Sequence, residues 1–195
     1  HSRKEAPVGP CLEITKDGET LRIWRDEFPD DPRQNADYLG TMACYHRRYE
    51  LGDPITMEPS ELVKLVKSGT VIALPLYLMD HSGLWMDTSS ARFAAVDSYG
   101  WDWGQVGYIY VTRQKVREDF RVKHISPQLR DLVERMLQAE VREYNDYLQG
   151  DVYGYTVEDD EGRTLDSCWG FIGGPEDSGI LDYIPEKFRE EVADA

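Results

Sequence analysis

"SPQLRDLVERMLQAEVREYNDYLQG", residues 126–150, is the stretch on which the fold turns. Ser126 offers a hydroxyl for an N-cap, Pro127 suits the first helical position, and Gly150 suits the left-handed residue that ends a helix. Between them Leu129, Leu132, Val133, Met136, Leu137, Val141, Tyr144 and Leu148 recur at i, i+3, i+4. That spacing predicts one long helix with a single apolar face, which needs a sheet to rest on. Working outward, "CLEITKDGETLRIW" (11–24) places alternating segments around Asp17-Gly18, a hairpin signal. "PSELVKLVKSG" (59–69) reads as a short helix with Leu62, Val63, Leu65 and Val66 inward, ended by Gly69. "TVIALPLYLM" (70–79) and "QVGYIYV" (105–111) read as strands, Pro75 implying a bulge or an edge in the first. "DVYGYTVEDDEGRTLDSCWGFIG" (151–173) reads as a second hairpin turning at Asp159 to Gly162. A last helix starts near Pro185 with Ile184, Phe188 and Val192 on one side. Strands gather around helices without steady β-α-β alternation. The expectation is α+β: a mostly antiparallel sheet packed against one long helix plus shorter ones, in a single domain over 11–195. Residues 1–10 are expected to be a disordered or cloning-derived N-terminus, and His1 and Ser2 are given no role.

The chain has 195 residues, with 37 Asp and Glu against 22 Lys and Arg, a net charge of −15. Binding to a phosphate backbone draws on Lys and Arg releasing counterions, so direct binding to DNA or RNA is disfavoured, as is an anionic membrane surface. A host protein with a basic surface, including a nucleic-acid groove, is the partner such a charge attracts. The plainer reading is that acidity keeps the chain soluble. No apolar run approaches the roughly 20 residues of a membrane span, and "HSRKEAPVGP" lacks the hydrophobic core of a secretory signal. Cys11, Cys44 and Cys168 are an odd number without C-x-x-C spacing, which favours reduced thiols in a cytoplasm. Nothing in the sequence specifies an oligomeric state.

Two segments carry more polar and aromatic character than packing requires. In "DDPRQNADYLGTMACYHRRYELGD" (30–53), His46, Arg47 and Arg48 gather positive charge. An extended chain puts Cys44 and His46 on one face, but structural zinc needs four ligands, so no metal is expected. The arginines read first as an anchor pairing with Asp30, Asp31, Asp37, Glu50 and Asp53, and second as a grip on an anion. In "DHSGLWMDTSSARFAAVDSYGWDWGQVG" (80–107), Asp80 and His81 follow a buried strand, where functional residues often lie. Ser82 and Ser98 supply hydroxyls, but no G-x-S-x-G elbow accompanies them. Trp101 and Trp103 flank Asp102 among glycines and read either as a lid on the core or as a binding surface. Cys168, beside Trp169 in an apparent strand, reads as a small buried hydrophobe rather than a nucleophile. No Walker loop, dinucleotide fingerprint, HExxH or EF-hand appears, so no cofactor is expected. The residues expected to bind are Arg47, Arg48, Tyr49, Trp101, Asp102, Trp103 and Gln105. A catalytic role falls, as the alternative only, on His46, Asp80 and His81.

The ordered blocks "DDPRQNADYLGTMACYHRRYELGD", "LPLYLMDHSG" with "GQVGYIYV", and "GDVYGYTVEDDEGRTLDSCWGF" resemble a small family of acidic proteins encoded in phage, prophage and plasmid genomes. The resemblance runs from about residue 20 to 173. That family's third block tends to read "PWDSGQVG", where this chain has Gly100 and Trp103 in place of the Pro and Ser. The resemblance implies a mobile-element origin and no catalytic role. Two functions of different class follow. One is a non-enzymatic accessory protein that binds a host protein, as an anti-defence inhibitor or DNA mimic. The other is a small hydrolase or nucleotide-binding enzyme whose site joins His46, Arg47 and Arg48 to Asp80, His81 and Asp102.

Overall fold

The computed structural model describes residues 9–35, 37–96 and 103–195. Its elements run β1 (Leu12–Lys16), β2 (Glu19–Arg25), α1 (Pro32–Asn35), β3 (Thr41–Cys44), α2 (Pro59–Lys67), β4 (Val71–Asp80), β5 (Leu84–Asp87) and α3 (Ala91–Val96). They continue as β6 (Trp103–Thr112), α4 (Arg113–Asp119), α5 (Pro127–Gln149), β7 (Val152–Asp159), β8 (Thr164–Ile172), α6 (Ile180–Tyr183), a 3₁₀ turn (Glu186–Phe188) and α7 (Arg189–Ala193). The class is α+β with wholly antiparallel pairing, and the strands divide between two four-stranded sheets, β1-β2-β7-β8 and β3-β6-β4-β5. Contacts group the chain into two compact units, residues 31–148 and residues 1–30 with 149–195.

In the 31–148 unit, α5 packs on the β3-β6-β4-β5 sheet, and Val133, Leu137, Val141 and Tyr144 join Met42, Ile72, Leu76, Ile109 and Val111 in one core. The helix begins as its sequence dictates: the Leu129 N–H donates to Ser126 Oγ at 3.1 Å, and Gly150 takes φ +74°. Its apolar face is narrower than the spacing implied. Leu132 (39% exposed) and Met136 (37%) face outward, while Glu140 (9%) is buried on the same stripe. Of the apolar residues in α2 only Leu62 is buried, and Val63 is exposed. Pro75 sits where it can be tolerated: β5 pairs with only Tyr77–Asp80 of β4, leaving that side of Pro75 open, and the register shifts between Leu76 and Tyr77. In β6, a Cβ on Gly107 would overlap the Ala43 carbonyl, so close β3–β6 approach requires glycine there.

In the other unit the Asp17-Gly18 turn has φ +50° and +76°, both in the left-handed region that a two-residue hairpin needs. The β7–β8 hairpin turns at Asp159–Arg163. One face of its sheet buries Leu21, Ile23, Tyr155, Val157 and Phe171 against Ile180, Ile184, Phe188 and Val192. That last set recurs every four residues and stays on one side although the chain passes from α6 through a 3₁₀ turn into α7. Burying each such side chain is worth about 1.5–3 kcal/mol.

Candidate functional site

The segment 30–53 is pinned by an arginine, but not by one from "HRRY". Arg33, in α1, is 5% exposed. It donates to both Asp53 oxygens (Nε to Oδ1 2.8 Å, Nη2 to Oδ2 2.5 Å), to Glu140 Oε2 (3.1 Å) and to the Gly40 carbonyl (2.8 Å). Its guanidinium carbon lies 4.1 Å from the centre of the Tyr38 ring. The carboxylates are then completed by backbone: Glu140 accepts from the N–H groups of Leu39 (2.9 Å) and Gly40 (3.2 Å), and Asp53 from that of Met42 (2.7 Å). The Gly52 N–H donates to the Tyr144 hydroxyl at 2.9 Å. Every charge buried here is paired and hydrogen-bonded, as a low-dielectric site demands. Arg47, by contrast, is exposed and has no ion pair among the described residues, and Arg48 pairs with Asp80 rather than with the acidic loop. The expected anchor is therefore corrected from Arg47 and Arg48 to Arg33.

Burial disfavours the Arg33 charge, but the Asp53 and Glu140 carboxylates outweigh it and its pKa rises. Burial raises the Glu140 pKa above 4.5, only partly offset by the Gly40 amide and Arg33. A folded-state value above the unfolded one gives stability that is present at low pH and lost as pH climbs through the folded value. The wild type is thus expected to lose stability relative to Glu140→Gln as pH rises above the ordinary carboxylate range, read from urea midpoints of both proteins. A gap that widens in favour of wild type with pH would contradict this.

At the end of β3 the chain turns across the start of β6, where the Tyr45 N–H donates to the Val106 carbonyl at 2.7 Å. Register places Asp80, the last residue of β4, near Trp103 and Gln105, which open β6 opposite Met79 and Tyr77. The result is a cleft of about 260 Å³ lined by His46, Arg48, Asp80, Trp103 and Gln105 over Leu78. A second, of about 680 Å³, lies between Asp31, Gln34, Tyr45, Arg47 and Glu50, and His46 lines both. The His46 ring stacks on Tyr49 with centroids 5.0 Å apart. Arg48 donates to Asp80 at 2.5 Å, and the Tyr49 hydroxyl to the same oxygen at 3.3 Å. Trp103 packs edge-on to Tyr77 at 6.2 Å and near Phe93 at 6.3 Å, so it serves as both a lid on the core and a cleft wall.

These contacts set the chemistry. The Arg48 backbone N–H donates to His46 Nδ1 at 3.2 Å, which places the neutral ring's proton on Nε2. In that tautomer Nε2 is a donor. Asp80 is held by Arg48 and Tyr49, not by His46, so no base-and-orienter pair forms. Binding of a polar molecule suits this cleft better than proton abstraction. His81 sits in the β4–β5 turn, where its N–H donates to the Gly83 carbonyl at 3.2 Å, and it lines neither cleft. Trp101, Asp102, Ser98 and Gly100 lie outside the described residues. Burial pushes the Cys44 thiol up to about 12, which makes it a poor thiolate, and among the described residues no group of three or more His, Cys, Asp or Glu could hold a metal. Cys168 lies in β8 of the other unit, half-buried against that core. Among the described residues no helix is long and apolar enough to cross a membrane.

Residue spacing does not reveal Arg33, Asp53, Glu140 and Tyr144 as one polar network. One signal was available: Glu140 falls between Leu137 and Tyr144 on the stripe that α5 buries. Comparison with family models, curated proteins and solved structures finds no match to the chain.

Proposed function

We propose that this is a phage- or plasmid-encoded accessory protein that acts in the host cytoplasm by binding a host protein with a basic surface, as an anti-defence inhibitor that mimics DNA. The observation that carries this reading is the distribution of charge. Residues 1–30 and 149–195 hold twenty Asp and Glu against eight Lys and Arg, a net of −12, whereas residues 31–148 hold seventeen against fourteen, a net of −3. In the acidic unit Lys16, Arg22, Arg25, Arg163 and Lys187 are each taken up by a carboxylate of the same unit. Acidity spread only for solubility would not favour one unit so strongly. The mobile-element origin rests on the resemblance of the sequence blocks.

A second reading is supported by one observation: His46, Arg48, Asp80, Trp103 and Gln105 line a single cleft. It is a small-ligand or nucleotide-binding site, with the His46 tautomer weighing against hydrolysis.

The test is competition. The chain is titrated into a basic nucleoid-type DNA-binding protein held on labelled duplex DNA. Release of the duplex at near-stoichiometric protein, with no shift of the duplex by the chain alone, is the expected result. Binding of the chain to bare duplex, or no release at large excess, would overturn the proposal.

A further inference from the structure

The cleft lined by His46 and Asp80 holds hydrogen-bonding groups that the fold itself leaves unused. Asp80 Oδ2 is taken by Arg48 and Tyr49, while Oδ1 has no hydrogen bond among the described residues. The Gln105 amide nitrogen donates to the Gly107 carbonyl at 3.2 Å, which leaves Oε1 as a second acceptor. His46 Nε2–H is one donor, since Nδ1 is already engaged, and Arg48 keeps the N–H groups not bonded to Asp80 as another. Trp103 and Leu78 supply an apolar wall and floor. Arg48 and Asp80 are the only charged side chains lining this cleft among the described residues, and they pair, so it carries no net charge. The adjoining larger cleft sets Asp31, Glu50 and Asp53 against Arg47, its one arginine or lysine among the described residues.

Resting on the small-ligand reading of this cleft, we infer that its ligand is an uncharged guanine base, free or as the nucleoside. Guanine carries N–H donors at N1 and N2 beside acceptors at O6 and N7, which matches the acceptors Asp80 and Gln105 and the donors His46 and Arg48. The arginine fork is the side chain suited to O6 and N7. Adenine offers only its amino group as a donor and leaves one protein acceptor unpaired. The volume of about 260 Å³ lies just under the roughly 300–1,000 Å³ of pockets for drug-sized molecules, which suits two fused rings. His46 lines both clefts, so a phosphate carried on the ribose would meet the carboxylates next door. That selects nucleoside over nucleotide.

The test is calorimetric titration of the full chain with guanosine, adenosine and guanosine 5′-monophosphate. Guanosine is expected to bind saturably, adenosine about tenfold more weakly, and the monophosphate no more tightly than guanosine. Asp80→Asn, and His46→Phe, which retains the stack on Tyr49, should each weaken guanosine about tenfold. Melting temperatures are compared first, and Gln105→Ala, at an exposed position, replaces either variant if it unfolds. Equal binding of adenosine, or tighter binding of the monophosphate, each lost in Asp80→Asn, overturns the guanine assignment and leaves the small-ligand reading standing. Guanosine binding that none of the substitutions weakens, or no saturable binding of any of the three, overturns both.

Discussion

Arg33→Ala is expected to cost about 3–5 kcal/mol of stability, because it leaves the buried Glu140 and half-buried Asp53 carboxylates without their shared counter-charge. Three separate stretches meet at that guanidinium: the loop carbonyl of Gly40, Asp53 after the "HRRY" turn, and Glu140 in the middle of α5. Removing it also unseats the Tyr38 ring. Arg47→Ala, at an exposed position without an ion pair, should change stability by less than about 0.5 kcal/mol. Urea unfolding of the two variants beside wild type separates the outcomes. Comparable losses for both would return the anchor to "HRRY", and a negligible loss for Arg33→Ala would remove the network from the fold's foundations.

Phe188→Ala is expected to cost about 3–5 kcal/mol in the other unit, where Phe188 is wholly buried between Ile184, Val192 and the sheet residues Leu21 and Val157. The price is lost transfer free energy plus the cavity that a sheet packed on one side closes only in part. The exposed neighbour Tyr183 provides the control. Tyr183→Ala should cost less than about 1 kcal/mol in the same denaturation experiment. If Phe188→Ala proves as mild as Tyr183→Ala, the C-terminal segment is not docked on its sheet as described.

These two residues also mark what the sequence makes legible. Phe188 belongs to a four-residue apolar recurrence, and such periodicity survives as a signal even where helix type changes along the chain. The ends of α5 were equally readable, because Ser126 and Gly150 are short-range capping chemistry, and so was the Asp17-Gly18 turn. Arg33 carries no such signal. A buried cation is specified by partners 20 and 107 residues away, and nothing local distinguishes Arg33 from Arg47. Glutamate inside a buried stripe reads as solvent-facing until its backbone donors are known. Division of the strands between two sheets was hidden for a related reason: β2 pairs with β7 across more than a hundred residues, and local patterns do not choose partners. In the candidate cleft, His46 and Arg48 do meet Asp80, while His81, grouped with them by sequence, lies elsewhere. The Nδ1 acceptor that fixes the ring's role could come only from geometry.

The proposed function makes the carboxylates of the β1-β2-β7-β8 unit the working surface. Its most direct measurement compares capture from host lysate by wild type and by a variant carrying Glu176→Gln, Asp177→Asn, Asp182→Asn, Glu186→Gln and Glu190→Gln, all exposed and free of ion pairs among the described residues. Both proteins are run at low and high salt, and bound proteins are identified by mass spectrometry. The expected result is a basic host protein retained by wild type at low salt, released at high salt, and lost from the variant. A partner held equally by both proteins and indifferent to salt would contradict it.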